Sequence, residues 1–223
     1  MHVFLSMFLV ALPLFSGTLQ YREKDKERSL LHAVQIDPVS GGFAVLLHTT
    51  VSGRPEEESF QSFAVDSQWA TLKWTFRQPG RRSDISASRQ GKHIILQGTW
   101  KGKAIKKSFA TDDRPWNQPF QIGLAPFVTS GLKTFQFWSI GTAGPGEMKI
   151  AKFNSERRES ASASLNGVPM ELVRVRLKLS GLLSLFWHGD YWYRTSDGVF
   201  VRFNDKERSS ELISESDNLP VSH

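Results

Sequence analysis

FWHGDYWYRTSDGVFVRF, residues Phe186 to Phe203, is the stretch whose reading decides the fold. It holds three Phe, two Trp and two Tyr, residue types that suit a pleated, half-buried surface. His-Gly-Asp and Asp-Gly interrupt them as turn signals. Read as hairpins, a Gly189-Asp190 loop sets Trp187 opposite Trp192 and Phe186 opposite Tyr193, and an Asp197-Gly198 loop adds a third strand. His188 then flanks the first turn and Asp190 sits inside it, so turn geometry accounts for their nearness without a catalytic role. Aromatics fall on both faces, with Trp187, Trp192 and Phe203 on one side and Phe186, Tyr193 and Phe200 on the other. A sheet with one wet face does not look like this. Either protein covers both faces, or one face packs on the core while the other lines a concavity that admits an apolar ligand.

Working outward, the same period of two recurs along most of the chain. Val173, Val175, Leu177 and Leu179 point one way while Arg174, Arg176 and Lys178 point the other, which predicts a strand with one buried and one basic, solvated face. Asn166-Gly167 just before it is a tight-hairpin signal. From Thr18 to Gly53 apolar residues alternate at Leu30, Val34, Ile36, Phe43, Val45, Leu47 and Val51, and charged or Gly/Pro turns divide them into a three-stranded antiparallel meander. From Trp69 to Ala110 the turns QPGRR, RQGK and WKGK predict four more strands. Between Thr111 and Thr134 the alternation stops and three prolines gather, which predicts an irregular crossing with one short helix. The expected fold is mainly β: a single curved antiparallel sheet, a half-barrel or open barrel of meander topology, with one short helix or loop over its concave face.

Length and composition agree. A chain of 223 residues accommodates one all-β domain, and 12% aromatic residues favour strands. Residues 1–17 carry no Lys, Arg, Asp or Glu, and their apolar run is too short to span a bilayer, so they read as a secretory signal peptide. The expected domain then covers 18–204, followed by a polar, mobile tail over 205–223. No cysteine is present, so the fold rests on packing without disulfides. An exported, cysteine-free chain of this size suits a periplasm, with no transmembrane span left after the signal is removed.

Candidate chemistry is sparse. Between Arg77 and Lys107 nine basic residues face one acid, Asp84. Arg81, Arg82, Arg89, Lys101, Lys103 and Lys107 are the expected surface patch for anionic head groups, although basic residues at turns and outward positions also keep sheets soluble. Nucleic acid needs aromatics interleaved with the charges, and this block has only Trp100 and Phe109 at its far end. GTAGPG, Gly141 to Gly146, resembles a phosphate loop but precedes a strand pattern instead of a helix. His32, His48, His93 and His188 lack metal-ligand spacing, and no cofactor motif occurs. Asp112 and Asp113 are adjacent and so are a poor acid/base pair on a strand; they read as a turn cap or a partner for Arg114.

Taken in order, the signal segment, the long meander, the apolar crossing WNQPFQIGLAPFV and the terminal aromatic stretch YWYRTSDGVFVRF resemble periplasmic proteins of the DUF3108-like kind. These are similar in layout to the half-barrel carriers of the LolA/LppX superfamily. The resemblance covers Thr18 to Phe203. It implies a curved antiparallel sheet whose concave face, covered by a helix or loop, holds acyl chains or another lipid-like ligand. It carries over no catalytic residue. The chain departs from the pattern in having no lipobox Cys, which favours a soluble periplasmic protein over an anchored one.

Three functions follow, in order. The first is a non-enzymatic binder of an apolar or amphipathic, lipid-like ligand, with Phe120, Leu124, Phe127, Trp138, Trp187 and Trp192 lining the concavity and Ile122 and Val128 helping to close it. The second is an envelope scaffold whose edge strands take up a protein partner. The third is a periplasmic hydrolase, for which His188 with Asp190, or Asp113, are the first residues to inspect.

Overall fold

A computed structural model describes residues 15–25, 28–143, 147–165, 167–181, 187–205 and 207–217. The signal segment therefore lies almost wholly outside the described residues, as do Asn166, Phe186 and part of the GTAGPG loop. Fourteen antiparallel strands form one sheet. The first half is β1 (Gly17–Asp25), β2 (Arg28–Val39), β3 (Gly42–Val51), β4 (Ser59–Asp66), β5 (Thr71–Gln78), β6 (Ser83–Gln90), β7 (His93–Trp100) and β8 (Lys103–Ala110). Two short helices follow, α1 (Phe120–Gly123) and α2 (Ala125–Thr129). The second half is β9 (Thr134–Ala143), β10 (Glu147–Leu165), β11 (Val168–Leu179), β12 (His188–Arg194), β13 (Phe200–Asn204) and β14 (Arg208–Asp217).

The sheet order is β8-β7-β6-β5-β4-β3-β2-β1-β14-β13-β12-β11-β10-β9. Two meanders thus meet at a central β1–β14 pair, and β8 and β9 form the two edges. The sheet curls without closing. Lys107 Nζ on β8 donates to the Met148 carbonyl of β10 at 2.9 Å, so the edges approach, but β8 and β9 do not pair. The crossing between them is stitched down by its backbone. Trp116 accepts from Thr71 N at 2.6 Å and bridges in parallel to Trp138 on β9. Gln118 imitates a strand backbone, donating to the Ile140 carbonyl at 2.8 Å and accepting from Ile140 N at 2.9 Å.

Alternation places the core inside the curl. Val173, Val175 and Leu177 are all 0% exposed, each burial contributing roughly 1.5–3 kcal/mol. Their outward neighbours are not simply solvated: Arg174, Arg176 and Lys178 pair with Glu159, Asp190 and Glu156. Leu124, Phe127 and Val128 of the helical segment enter the same core, closing one end of it. The Asp197-Gly198 turn packs beneath them. Gly198 has φ +74° and a Cβ there would stand 2.6 Å from Ala125 Cα, so only glycine fits.

The structure corrects two local expectations. Gly189-Asp190 is not a loop: β12 runs straight through it, pairing Leu177 with Gly189 and Arg176 with Asp190. The cause is a cross-strand ion pair, with Arg176 donating to both Asp190 oxygens at 2.8 Å, while Gly189 leaves room for the Tyr191 and Phe203 rings. The stretch expected as a polar tail contains β14, whose Leu212 is buried opposite Tyr21. Its partner strand lies nearly two hundred positions upstream, as in the pair Gly17 and Asp217.

Candidate functional site

The concave face has two unlike walls. One is aromatic. Phe120 stands 6.2 Å from Phe137, 5.9 Å from Phe153 and 5.9 Å from Tyr191, Phe127 stacks on Phe135 at 5.7 Å, and Trp187 meets Phe153 edge-on at 5.8 Å. Four of the residues expected to line a ligand site, Phe120, Leu124, Phe127 and Trp187, therefore belong to one packed cluster. The other two lie on the opposite face. Trp138, next to inward Phe137, donates Nε1 to Asp112 at 2.8 Å, and Trp192, between inward Tyr191 and Tyr193, lies under Arg202. Their strand phase turns them outward.

The second wall, built by β1 to β4 and β14, leaves a cavity of about 220 Å³. Strand register lays it out in rows. Leu19, Val34, Leu47 and Gln61 stand side by side across four strands. The next row toward the polar end is Leu212, Tyr21, His32 and Thr49, and beyond it Ser210 faces Glu23. Phe63 and Phe200 complete the apolar part, and Pro119, Gln121 and Ile122 from the crossing border the cavity from above. One end is thus oily and the other polar.

The polar end is hydrogen-bonded in series. His32 Nδ1 lies 2.9 Å from Thr49 Oγ1, and His32 Nε2 lies 3.2 Å from Glu23 Oε2. Gln61 Oε1 accepts from Trp74 Nε1 at 3.0 Å, which turns its amide nitrogen away from that bond. Tyr21 is 3% exposed and its hydroxyl has no partner. Burial pushes the acidity of this phenol far down, helped by the nearby Glu215 charge, so it stays a neutral donor. A buried hydroxyl without a partner costs about 1–3 kcal/mol.

The sequence contained a signal for this site. Tyr21 and Glu23 continue the inward phase of Leu19, and His32 that of Val34. A carboxylate and an imidazole on the apolar phase of adjacent strands are unusual. Reading the histidines only for metal spacing passed over them.

The other expected sites dissolve into structure. Arg81 donates to the Glu57 carboxylate at 2.7 Å, Arg89 clamps the carbonyls of Asp112 and Arg114, and Lys107 seals the seam. Arg82, Lys101 and Lys103 stay exposed together at one end of the sheet, where Gly102 N donates to the Arg82 carbonyl. His188 is exposed and shares the outer face with Asp190, whose carboxyl the Arg176 hydrogen bond holds below the usual range. Asp113 pairs with Lys92 at the surface, and Asp112 is held by the Trp138 and Arg114 bonds. These acids are ion-pair partners scattered on the convex side.

No protein-family model and no curated protein matches the chain. Among solved structures it is similar to a β-barrel-like protein of a domain of unknown function, DUF1849, from Brucella abortus, with a TM-score of 0.61, 7% identity, and coverage of 91% of this chain and 98% of that one. At that identity the likeness shows the fold alone, and the fold is β-barrel-like. Among the described residues no helix is long and apolar enough to cross a membrane.

Proposed function

We propose that this is an exported, non-enzymatic protein that binds a small amphipathic ligand inside its curled sheet. The observation that carries this is the cavity of about 220 Å³ with an oily end and a polar end. Native cores are packed closely, so retained space lined by polar side chains marks a site for something else. The residues that bind are those of the β1–β4 wall instead of the aromatic wall. A carrier role of the LolA/LppX kind and a periplasmic address accord with the signal-like segment and with the curled sheet. The test is native mass spectrometry of the purified chain, followed by organic extraction. A stoichiometric small-molecule adduct is expected, and Leu47→Trp, which fills the cavity, abolishes it while the protein still folds. A clean mass for the wild type, with no uptake of added amphiphiles, overturns the proposal and moves the search to protein partners at the β8 and β9 edges.

One observation favours a second reading. Thr49, His32 and Glu23 stand in the hydroxyl, imidazole, carboxylate order of a hydrolytic triad. Turnover of short nitrophenyl esters that vanishes in His32→Ala would establish it; equal background rates for both proteins would remove it.

A further inference from the structure

We infer that the cavity selects a ligand whose head group is uncharged and donates a hydrogen bond, an alcohol or an amide, and rejects carboxylates and phosphates; this rests on the binding reading above. The expectation from the sequence was the opposite, a basic patch meeting anionic head groups. The charge map of the cavity argues against that. The chain carries a net charge of +6, yet no Lys or Arg lines the cavity, and its one carboxylate is Glu23. Arg22 and Lys24, the neighbours of Glu23 on β1, are exposed on the other phase, and Arg22 pairs there with Glu211.

The hydrogen-bonding inventory sets the rest of the match. Gln61, its oxygen committed to Trp74, offers an amide N–H. That N–H stands in the row of Leu47, away from Glu23. Glu23, with one oxygen on His32, offers only acceptor capacity, which a ligand O–H or N–H satisfies. An anionic head would stand beside Glu23 in a half-buried site where like charges are poorly screened. An alcohol or amide donates to Glu23 at no such cost.

The experiment is isothermal titration of the full chain with octanol, octanamide and octanoate, which share an alkyl tail, at a pH above the ordinary imidazole range. The alcohol and the amide are expected to bind at least about tenfold tighter than the carboxylate, a difference of about 1.4 kcal/mol. Tail partitioning alone would also rank them so, and therefore Glu23→Gln is decisive: it brings the ratio of octanol to octanoate affinity down by about tenfold. The inference is overturned, and the cavity reading kept, if octanoate binds as tightly as octanol or if Glu23→Gln leaves the ratio unchanged. If none of the three binds the wild type, both fall. Should Glu23→Gln not fold by circular dichroism, Glu23→Ala takes its place: an unchanged ratio of octanol to octanoate affinity overturns the inference.

Discussion

The two walls of the concave face use the same strand alternation and reach opposite ends. Around Phe137, rings from β9, β10, β12 and α1 meet at centroid distances of 5.4 to 6.2 Å. Along β1 to β4 the inward positions include Tyr21, Glu23, His32, Thr49 and Gln61, whose polar atoms must be satisfied before they can be packed. Two of these, His32 and Thr49, satisfy each other, and Tyr21 remains unpaired. Aromatic richness therefore marks where this protein is solid. Polar residues on the inward phase mark where it is open.

The comparison breaks most visibly at the aromatic wall. Phe137 is 0% exposed and touches Phe120, Phe135 and Phe153, so Phe137→Ala should cost about 3–5 kcal/mol in urea unfolding. The ligand content of the molecules that stay folded should not change. A loss of ligand without a loss of stability would mean the walls have been assigned the wrong way round.

On the convex side, Asp190→Ala removes the acceptor of two Arg176 hydrogen bonds and leaves that guanidinium half-buried, for an expected loss of about 1–2 kcal/mol. Because the folded-state pKa of Asp190 is depressed, its contribution is present above the unfolded carboxyl pKa and disappears as the pH falls through the lower folded value. Denaturation midpoints of wild type and variant should therefore differ at neutral pH and converge in acid. A gap that stays constant with pH would show that the ion pair is not its source.

Tyr21→Phe sharpens the comparison by reversing the usual sign. Removing a buried hydroxyl that has no partner should raise stability by about 1 kcal/mol in the ligand-free protein, where most core substitutions lower it. A loss of stability would reveal a protein partner for the hydroxyl. The smallest effect belongs to the exposed basic end. Lys103→Glu should change stability by less than about 0.5 kcal/mol and leave ligand uptake unaltered; a drop in uptake would return the basic residues to the site.

Most of the architecture was legible in local pattern. Val173, Val175 and Leu177 announced a buried face, the prolines between Thr111 and Thr134 announced the crossing, and Asp197-Gly198 announced its turn. The misreadings share one cause, which is that the deciding partner is distant in sequence. Gly189-Asp190 has turn chemistry, but Arg176 on the neighbouring strand claims the carboxylate. The segment Arg208–Asp217 is polar, but β1 supplies it with a ladder. The cavity drew its polar residues from separate strands, and only the register sets Tyr21 beside His32 and His32 beside Thr49. Alternation gives the phase of a residue. It does not say which residues share a row.

Every neighbouring pair in the sheet joins strands consecutive in the chain except β1 with β14. Twelve hairpin contacts can therefore zip locally, whereas this one must wait for the largest loop closure in the molecule. The junction is also where Ser210 meets Glu23 and Leu212 meets Tyr21. A refolding chain should regain most of its strand signal by circular dichroism before it regains the capacity to take up ligand, and the lag between the two would time the closing of that single central pair.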